Sequence, residues 1–357
     1  MSAIDIAMST LLIYGANGYS GRQIVATAMA RGLKPIVAGR NARQIETLGT
    51  ELGLAWRSFD LNDAAAVKQG LAGVKVVVHC AGPFSATALP MLEGCLAAGA
   101  HYLDITGEYH VMDAIAAREA DLQQAGIMAM CGTGMDVVPS DCLAAHVKQR
   151  LPGATHLALY IRALERLSRG TAATFVENMG LPNLVREQGQ LVERAAGADR
   201  CTMNFKGKQV KLVGLPWGDI SSAWRTTGIP NIAVYMSLMP GAGPAMRLGG
   251  FFRGLLQAGP VQRFLMAQAQ RWISGPDKEY RDKQTAEFIA VATDAQGKQV
   301  RSYLRVKEGY AFTADSATEI ARRVLEGSAR PGFQTPAGLF GPDFVLAIEG
   351  STRKDLD

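Results

Sequence analysis

A glycine-spaced turn joins the first strand-like run of the chain to its first helical segment. The run Thr10–Tyr14 is rich in β-forming residues, GANGYSG follows it with the spacing G-x-x-G-x-x-G, and helical composition starts at Arg22. Glycines let a backbone turn tightly and approach a pyrophosphate closely, and the helix N-terminus offers the phosphates unpaired N–H groups. Because a strand before the turn and a helix after it are the context that this motif requires, the turn predicts a dinucleotide site; a structural turn without a ligand is the alternative. The predicted cofactor residues in the turn are Gly15, Asn17, Gly18, Tyr19, Ser20 and Gly21.

Short apolar runs then alternate with helical patterns. The further predicted strands are Pro35–Ala38, Leu54–Phe59, Val74–Cys80, His101–Ile105 and Ile127–Cys131. The predicted helices between them are Asn41–Leu52, Ala64–Leu71, Leu89–Ala98 and Val111–Gln124. Strands that alternate with helices in this way indicate an α/β fold with a parallel, doubly wound Rossmann sheet. The strands lack polar alternation, as expected when helices cover both faces of the sheet.

The pattern changes after about Asp141. The predicted strands of this part are Leu157–Arg162, Gln209–Val213, Ile232–Met236, Phe288–Thr293 and Val300–Val306. The segment Asp294–Gly297 between the last two is typical of a hairpin turn, and Gly327 is placed to end a helix over Ala317–Leu325. We therefore expect a second, α+β domain that carries a mixed or antiparallel sheet.

The end of the second strand indicates which dinucleotide the site binds. A protein that binds NAD usually places Asp or Glu there to hold the ribose 2′-hydroxyl. This strand instead ends Ala38-Gly39-Arg40-Asn41, and Arg43 follows closely. Without a carboxylate, nothing repels a 2′-phosphate, and the planar guanidinium of Arg40 is suited to pair with one. The sequence thus predicts NADP(H), with an ordinary surface role for Arg40 as the alternative.

The ends of the third and fourth strands supply the remaining predicted cofactor contacts. Asp60 lies where a Rossmann domain holds the adenine, although it is also placed to cap the next helix. The fourth strand ends in small residues that let the chain pass under the pyrophosphate and the nicotinamide ribose. The cofactor residues predicted from the three strand ends are Gly39, Arg40, Asn41, Asp60, Leu61, Cys80, Ala81, Gly82, Pro83 and Phe84.

Ionisable residues cluster after the fifth strand, in the sequence HYLDITGEYH. Hydride transfer usually needs one proton donor near the nicotinamide, and the reaction crevice of such sheets lies beyond the carboxyl ends of the strands. Tyr109 or His110 is the predicted proton donor, and Asp104 and Glu108 are expected to orient neighbouring groups or substrate. The alternatives are that Asp104 binds backbone N–H groups of the turn, that Glu108 interacts with the helix dipole and that His110 is merely solvated.

Other polar residues near these strand ends are better explained by structure. Asp136 precedes Pro139, and Ser140-Asp141 precedes a helix, so we interpret them as turn and cap residues. Cys131 ends an apolar strand with no base assigned to it, which favours a buried, inert thiol over a nucleophile.

Composition excludes several classes of protein. The net charge of +5 comes from 37 basic and 32 acidic residues without a Lys/Arg block, so we predict no nucleic-acid partner. Five cysteines without C-x-x-C spacing favour a reducing compartment, and we expect no metal site. The N-terminus lacks a signal-peptide pattern, and no apolar run reaches about 18 residues, so we predict a cytoplasmic protein without a membrane span.

The segment Pro240–Trp272 combines apolar residues with spaced arginines. Its apolar residues include Phe251, Phe252, Leu255 and Leu256, and its arginines are Arg247, Arg253, Arg263 and Arg271. We hypothesise that it lines an apolar substrate pocket, or docks on a membrane or an acyl carrier through its arginines. Two core-packing helices whose arginines reach solvent are the alternative.

An ordered series of motifs gives the chain a family resemblance. YGANGYSG, AGRN, CAGPF, AGAHYLDITGE and GTGMDVVPSD resemble, in this order, the saccharopine dehydrogenase-like reductases, and most closely the branch of the trans-acting enoyl reductases. Looser matches follow at SRGT, TGIPNIAVYM and GFQTPAGLFG. The resemblance implies an NADP-binding Rossmann domain, an inserted α+β domain for substrate and dimer contacts, and a C-terminal segment that returns to the first domain.

The expected domain limits and reaction combine these arguments. We expect the NADP-binding domain at residues 1–145, the substrate-binding and dimerisation domain at 146–312, and the C-terminal segment at 313–357. The resemblance implies NADP(H)-dependent hydride transfer to a C=C bond conjugated to an acyl group, on a small-molecule or acyl substrate, in a homodimer. The alternatives are reduction of a C=N bond, a non-catalytic NADP(H) sensor, or a membrane-associated interaction protein that keeps NADP as a structural ligand.

Overall fold

The computed structural model describes residues 10–163, 182–237, 258–272 and 277–356, together with Ser168, Val176, Gly254 and Gly275. It divides the chain into two compact units, which are Met1–Asp136 with Tyr310–Thr335, and Val137–Gly309 with Pro336–Asp357. The domain limits expected at residues 145 and 312 stay predictions.

The first unit begins with six short strands that alternate with helices. The strands are β1 (Leu11–Tyr14), β2 (Ile36–Gly39), β3 (Trp56–Ser58), β4 (Val76–His79), β5 (His101–Asp104) and β6 (Met128–Met130). The helices are α1 (Tyr19–Ala30), α2 (Ala42–Leu52), α3 (Ala64–Gly70), α4 (Phe84–Ala98), α5 (Tyr109–Ala116) and α6 (Glu119–Ala125).

Longer strands follow in the next part of the chain. Its elements are α7 (Val138–Arg150), β7 (Ala154–Arg162), β8 (Asn183–Glu187), β9 (Gln190–Arg194), β10 (Arg200–Phe205), β11 (Lys208–Gly214), α8 (Asp219–Thr227), β12 (Asn231–Ser237), α9 (Gly259–Trp272), α10 (Lys278–Lys283), β13 (Thr285–Asp294), β14 (Gln299–Lys307) and α11 (Gly309–Arg323). The final elements are a π turn (Val324–Ser328), β15 (Gly332–Gln334), α12 (Pro336–Phe340), a 3₁₀ turn (Phe344–Ala347) and β16 (Thr352–Leu356).

The first sheet is parallel throughout, in the order β15-β6-β5-β4-β1-β2-β3. Every residue of β1, β2, β4 and β6 is buried, which explains why these strands are continuous apolar runs without alternation. The strand order reverses between β1 and β4, so their carboxyl ends border the crevice in which such sheets bind ligands. The predicted α/β fold with a Rossmann sheet is confirmed.

Helix α11 returns to the first unit and packs beside α1. The Tyr19 and Tyr310 rings meet edge to face with centroids 4.8 Å apart. Near the other end of α1, Arg31 pairs with Asp315 at 2.9 Å and with Glu319 at 3.4 Å. The N-termini of both helices therefore lie at the same end of the pair.

Two predicted helices of this unit have different limits. The single helix expected at Val111–Gln124 is wrong, because it is divided into α5 and α6 at Ala117 and Arg118. Arg118 precedes the new helix and is held by ion pairs with Glu93 of α4 and Asp121 of α6, a long-range contact that no local pattern encodes. Helix α4 begins at Phe84, earlier than predicted.

The second sheet is mixed, as predicted, and carries the order β10-β11-β12-β7-β13-β14-β16, with β8 bridging β12 and β9. Strands β12 and β7 run parallel, whereas β13 is antiparallel to both β7 and β14. The predicted hairpin turn lies between β13 and β14, where Asp294 Oδ1 accepts hydrogen bonds from Gln296 N and Lys298 N. None of the described helices is long and apolar enough to cross a membrane.

The expected cap at Ser140-Asp141 is wrong. Helix α7 begins earlier, after Val137, so both residues lie in its first turn. Asp141 is fully buried, where Oδ1 accepts from the Thr226 hydroxyl at 2.6 Å and Oδ2 from Ala337 N at 2.8 Å. The carboxylate thereby joins α7 to α8 and α12 within the second unit.

Candidate functional site

The turn between β1 and α1 is held close to the chain that follows β4. Gly15 has φ of +79°, and a Cβ atom there would lie 2.8 Å from Ala81 N. A Cβ atom on Gly21 would lie 2.2 Å from Gly15 O, so the helix packs against the turn only with glycine at that position. No side chain caps α1 at Gly18, and its first turn contains no acidic residue. The structure therefore presents a narrow turn and a helix N-terminus that suit an anionic pyrophosphate.

Exposed cations follow β2. Arg40 and Arg43 are both exposed, and none of the described carboxylates forms an ion pair with Arg40. Asn41 caps α2, because its Oδ1 accepts from Gln44 N at 3.1 Å. The Gln44 side chain in turn accepts from Asn17 Nδ2 at 2.7 Å, which ties the glycine turn to α2. This arrangement leaves the Arg40 guanidinium accessible to a phosphate.

Asp60 forms a local turn after β3. Its Oδ1 accepts from both the backbone and the side-chain nitrogen of Asn62, and the cap of α3 is Asp63. The alternative that Asp60 caps the helix is therefore wrong, and its contact with adenine stays a prediction. The pKa of the nearby Tyr14 hydroxyl is raised to about 12, mainly by burial and in part by Asp60, while Arg40 opposes the rise.

The predicted cofactor residues fall into two groups by their exposure to solvent. Those with accessible surface are Asn17, Gly18, Tyr19, Ser20, Arg40, Asn41, Asp60, Cys80, Ala81, Gly82, Pro83 and Phe84, and those buried are Gly15, Gly21, Gly39 and Leu61.

A buried histidine supports the turn after β4. His79 is fully buried, and its Nε2 lies 3.0 Å from the Thr87 hydroxyl oxygen. The Thr87 hydroxyl lies 2.6 Å from Ala81 O and 3.0 Å from Pro83 O, so its single hydrogen is donated to a carbonyl and its oxygen accepts from His79 Nε2–H. Burial lowers the pKa of His79 to about 3, which keeps the ring neutral. Sequence reasoning missed this residue because a histidine in an apolar strand gave no signal beyond its position at a strand end.

Both carboxyl oxygens of Asp104, at the end of β5, accept hydrogen bonds. Asp104 is fully buried, and Oδ1 accepts from Thr106 N at 3.0 Å and from Gly132 N at 2.9 Å. Its Oδ2 accepts from the Tyr102 hydroxyl at 2.7 Å. Burial raises the pKa of the Asp104 carboxyl, and these hydrogen bonds oppose the rise. The contacts agree with the alternative that Asp104 binds backbone N–H groups, and Cys131 beside it is buried, as expected.

Glu108, Tyr109 and His110 lie together at the start of α5. Glu108 is buried, and its Oε2 accepts from Ser85 N at 3.2 Å and lies 3.4 Å from His110 Nε2. The His110 side chain is 45% exposed, and the Tyr109 ring meets it edge to face with centroids 5.5 Å apart. The loop thus places a buried carboxylate, a phenol and an accessible imidazole beside the start of α4.

Asp136 is a further ionisable residue near this loop that sequence reasoning had assigned to a turn. It lies beyond the end of β6, is only partly buried, and its carboxyl approaches the backbone of Gly107. Burial raises the pKa of Asp136 to about 7. The sequence gave no signal for this, because the proximity depends on how two loops pack.

The segment Pro240–Trp272 lies partly outside the described residues. Phe251, Phe252, Leu255 and Leu256, with Arg247 and Arg253, lie outside the described residues, as does the side chain of Arg271. Arg263 lies on α9 and is exposed, next to Phe264, which is 61% exposed.

Known proteins are similar to part of this chain. Residues 11–130 match the family described as the saccharopine dehydrogenase NADP binding domain. A trans-acting enoyl reductase of Mycobacterium ulcerans (strain Agy99) is 25% identical over 185 residues, which are 47% of this chain and 44% of that protein. A probable mitochondrial saccharopine dehydrogenase-like oxidoreductase of Arabidopsis thaliana is 26% identical over 149 residues, which are 37% of this chain and 33% of that protein. The matched stretches cover less than half of each relative.

A solved structure matches the chain over nearly its whole length. Apo saccharopine dehydrogenase (L-Glu forming) from Saccharomyces cerevisiae superimposes with a TM-score of 0.66 over 98% of this chain and 100% of that chain, at 13% identity. A likeness at this identity establishes the fold alone. The resemblance predicted from the motifs is confirmed: residues 11–130 match the saccharopine dehydrogenase NADP binding domain, and the chain has the fold of saccharopine dehydrogenase.

Proposed function

We propose that the chain is an NADPH-dependent oxidoreductase that reduces a C=C bond conjugated to an acyl group. The observation that carries the proposal is the position of Glu108, Tyr109 and His110 at the carboxyl end of β5. The parallel sheet has one half built from β1, β2 and β3 and one built from β4, β5 and β6, and Rossmann folds hold the nicotinamide at the second half. Ionisable side chains at that edge suit proton transfer coupled to hydride transfer.

The cofactor fits the residues of the first unit. The turn from Gly15 to Gly21 would hold the pyrophosphate, and the exposed Arg40 and Arg43 would pair with the 2′-phosphate. Asp60 would face the adenine amino group. When bound, NADPH supplies a hydride to the substrate.

The residues of the β5–α5 loop have separate roles in this proposal. Tyr109 and His110 are the proton-donor candidates named by the sequence. Glu108 orients His110 through their 3.4 Å approach and joins the loop to α4 through Ser85 N. Asp104 keeps the turn in shape rather than contacting the substrate, since its oxygens already accept from Thr106, Gly132 and Tyr102.

The choice of substrate rests on the relatives. A relative named as a trans-acting enoyl reductase favours an unsaturated acyl group. The fold of saccharopine dehydrogenase supports a second candidate, reduction of a C=N bond. A non-catalytic NADP(H) sensor is the third, because a Rossmann fold alone does not imply turnover.

The experiment follows NADPH oxidation by absorbance with crotonyl-coenzyme A as the enoyl probe and 1-pyrroline as the imine probe. Saturable oxidation of NADPH with the thioester supports the proposal. Oxidation with the imine alone would make reduction of a C=N bond the favoured function instead. NADPH binding without turnover on either probe contradicts both reductase functions and supports the sensor. A Tyr109→Phe, His110→Gln double variant that turns over as fast as wild type would exclude both proton-donor candidates that the sequence predicts.

The assembly and location of the protein are proposals as well. We assign substrate and dimer contacts to residues 146–312, in a cytoplasmic homodimer, with residues 240–272 as the candidate contact to a membrane or an acyl carrier. Analytical ultracentrifugation tests the dimer, and flotation with anionic vesicles tests the membrane contact. A monomer at micromolar concentration would contradict the proposed dimer. Absence of the protein from the vesicle fraction would contradict the proposed membrane contact.

A further inference from the structure

Asp136 and Gly107 come from two loops that meet at the carboxyl edge of the parallel sheet. Gly107 follows β5 and Asp136 follows β6. A Cβ atom on Gly107 would lie 3.0 Å from Asp136 Cβ, 3.2 Å from its Cγ and 3.1 Å from Oδ2. The absence of a side chain at Gly107 therefore makes room for the Asp136 carboxyl. Gly107 itself lies one residue before Glu108 and three before His110.

The loop that carries Asp136 is fixed on both sides. Met135 N donates to the Thr313 hydroxyl oxygen at 3.0 Å, and the Ser316 hydroxyl donates to Thr133 O at 2.7 Å. Both partners belong to α11, which packs against this loop within the first unit. On the other side, Thr133 N donates to Asp104 O at 2.8 Å. A carboxyl on a loop held in this way meets the requirement that a reacting group be positioned in advance.

The chemical state of Asp136 suits an acid. Asp136 is only partly buried and lies in the turn that follows β6. Burial raises the pKa of the Asp136 carboxyl to about 7. A general acid is most effective when its pKa lies near the working pH. The other two proton-donor candidates, Tyr109 and His110, contact each other. The His110 side chain is nearly half exposed, and the Tyr109 and His110 rings meet edge to face.

We propose that the carboxyl of Asp136 is the proton donor of the reaction, an inference that rests on the proposed function. The hydride adds to the β-carbon of the conjugated C=C bond, whose electrons move to the acyl carbonyl as an enolate. Asp136 then gives its proton to the α-carbon, which yields the saturated acyl group and the oxidised nucleotide. The Asp136 carboxylate regains a proton from water. In this scheme Tyr109 and His110 contact the substrate without donating the proton.

The first test measures turnover with NADPH and crotonyl-coenzyme A across pH 5–9. In wild type, kcat should fall as pH rises through about 7, because the acid form of Asp136 is required. Asp136→Asn should lower kcat by about 10² to 10⁴-fold and abolish this pH dependence, while NADPH affinity is retained. Gly107→Ala should give a similar loss, because its methyl group displaces the carboxyl without removing an ionisable group. Glu51→Gln, at an exposed position on α2, is the control for removal of a carboxylate.

The second test does not depend on turnover. Protein labelled with ¹³C at the aspartate carboxyls is titrated with NADPH or NADP⁺ bound, and the Asp136 signal is assigned by its absence in Asp136→Asn. The oxidised nicotinamide ring is positively charged, so its proximity should give a lower titration midpoint with NADP⁺ than with NADPH. Equal midpoints, or an Asp136→Asn variant with wild-type kcat and pH profile, would overturn the inference. If crotonyl-coenzyme A is not reduced but the midpoints differ, the proposed reaction fails while the position of Asp136 is supported.

Discussion

Glu108 Oε2 accepts a hydrogen bond from Ser85 N at 3.2 Å, which joins the loop after β5 to the first turn of α4. The carboxylate occupies a helix N-terminus, where a negative charge is stabilised by the dipole and by N–H groups without partners in the helix. The same oxygen lies 3.4 Å from His110 Nε2, so Glu108 contacts both the start of α4 and a residue of the proposed site.

Replacement of Glu108 should affect folding stability. Glu108→Ala removes the acceptor of Ser85 N and should lower the free energy of unfolding by about 1–3 kcal/mol. Glu108→Gln keeps an acceptor for Ser85 N and should lose less of the free energy of unfolding. Urea denaturation of the three proteins measures the difference, and equal stability of wild type and Glu108→Ala would contradict the role of this contact.

Asp104 should behave as a structural residue. Asp104→Ala leaves the N–H groups of Thr106 and Gly132 and the Tyr102 hydroxyl buried without their acceptor, at a cost of about 2–5 kcal/mol. Asp104→Asn keeps one acceptor oxygen and should retain more of that free energy. The comparison is made by urea denaturation at pH 7. A stable Asp104→Ala protein would show that the turn does not depend on this carboxylate.

The buried His79 predicts a pH dependence of stability. Its pKa is lowered from 6.5 to about 3, so the unfolded chain binds a proton below pH 6.5 that the folded protein does not accept. The free energy of unfolding should therefore fall as pH decreases from 6.5 towards 3, by at most about 1.4 kcal/mol per pH unit from this group. His79→Gln should reduce the slope in urea denaturation between pH 6.5 and 4. Identical slopes would mean that the ring protonates in the folded protein.

Gly21 should tolerate no side chain. In Gly21→Ala the new methyl group meets Gly15 O at 2.2 Å, so the helix must shift away from the turn. We expect loss of NADPH binding, with the remaining fold checked by circular dichroism. Gly153→Ala is the control, because a Cβ atom there meets nothing within 4 Å and its φ is not positive. A folded Gly21→Ala protein with wild-type NADPH affinity would contradict the proposed pyrophosphate site.

Buried parallel strands were predictable because their pattern is local. Strands such as β4 (VVVH) are short apolar runs between helices, and burial on both faces requires that composition. Edge strands were not predictable in this way. The sequences of β9 (QLVER) and β16 (TRKDL) are mostly exposed, and these segments are strands because they pair with a neighbouring strand.

The candidate site also contains both residues that local sequence predicts and contacts that it does not predict. The glycine turn and Arg40 are contiguous sequence signals, and their positions follow from the fold. The approach of Asp136 to Gly107 and the bond from His79 to Thr87 depend on packing between loops and helices. Composition and spacing carry no information on such contacts, so sequence reasoning placed Asp136 correctly in a turn but did not predict its approach to Gly107.

The central claim is an NADP(H) site in which Arg40 pairs with the 2′-phosphate, and isothermal titration calorimetry with NADPH and NADH tests it most directly. Lys34→Ala, which removes an exposed cation at the opposite end of β2, is the control for Arg40→Ala. We predict micromolar binding of NADPH to wild type and Lys34→Ala, and binding to Arg40→Ala that is about 10 to 100-fold weaker, as the loss of a charged hydrogen bond worth about 1.5–3 kcal/mol implies. NADH affinity should be the same in all three proteins. Absence of binding by either nucleotide, or an Arg40→Ala protein that still prefers NADPH as strongly as wild type, would contradict the account.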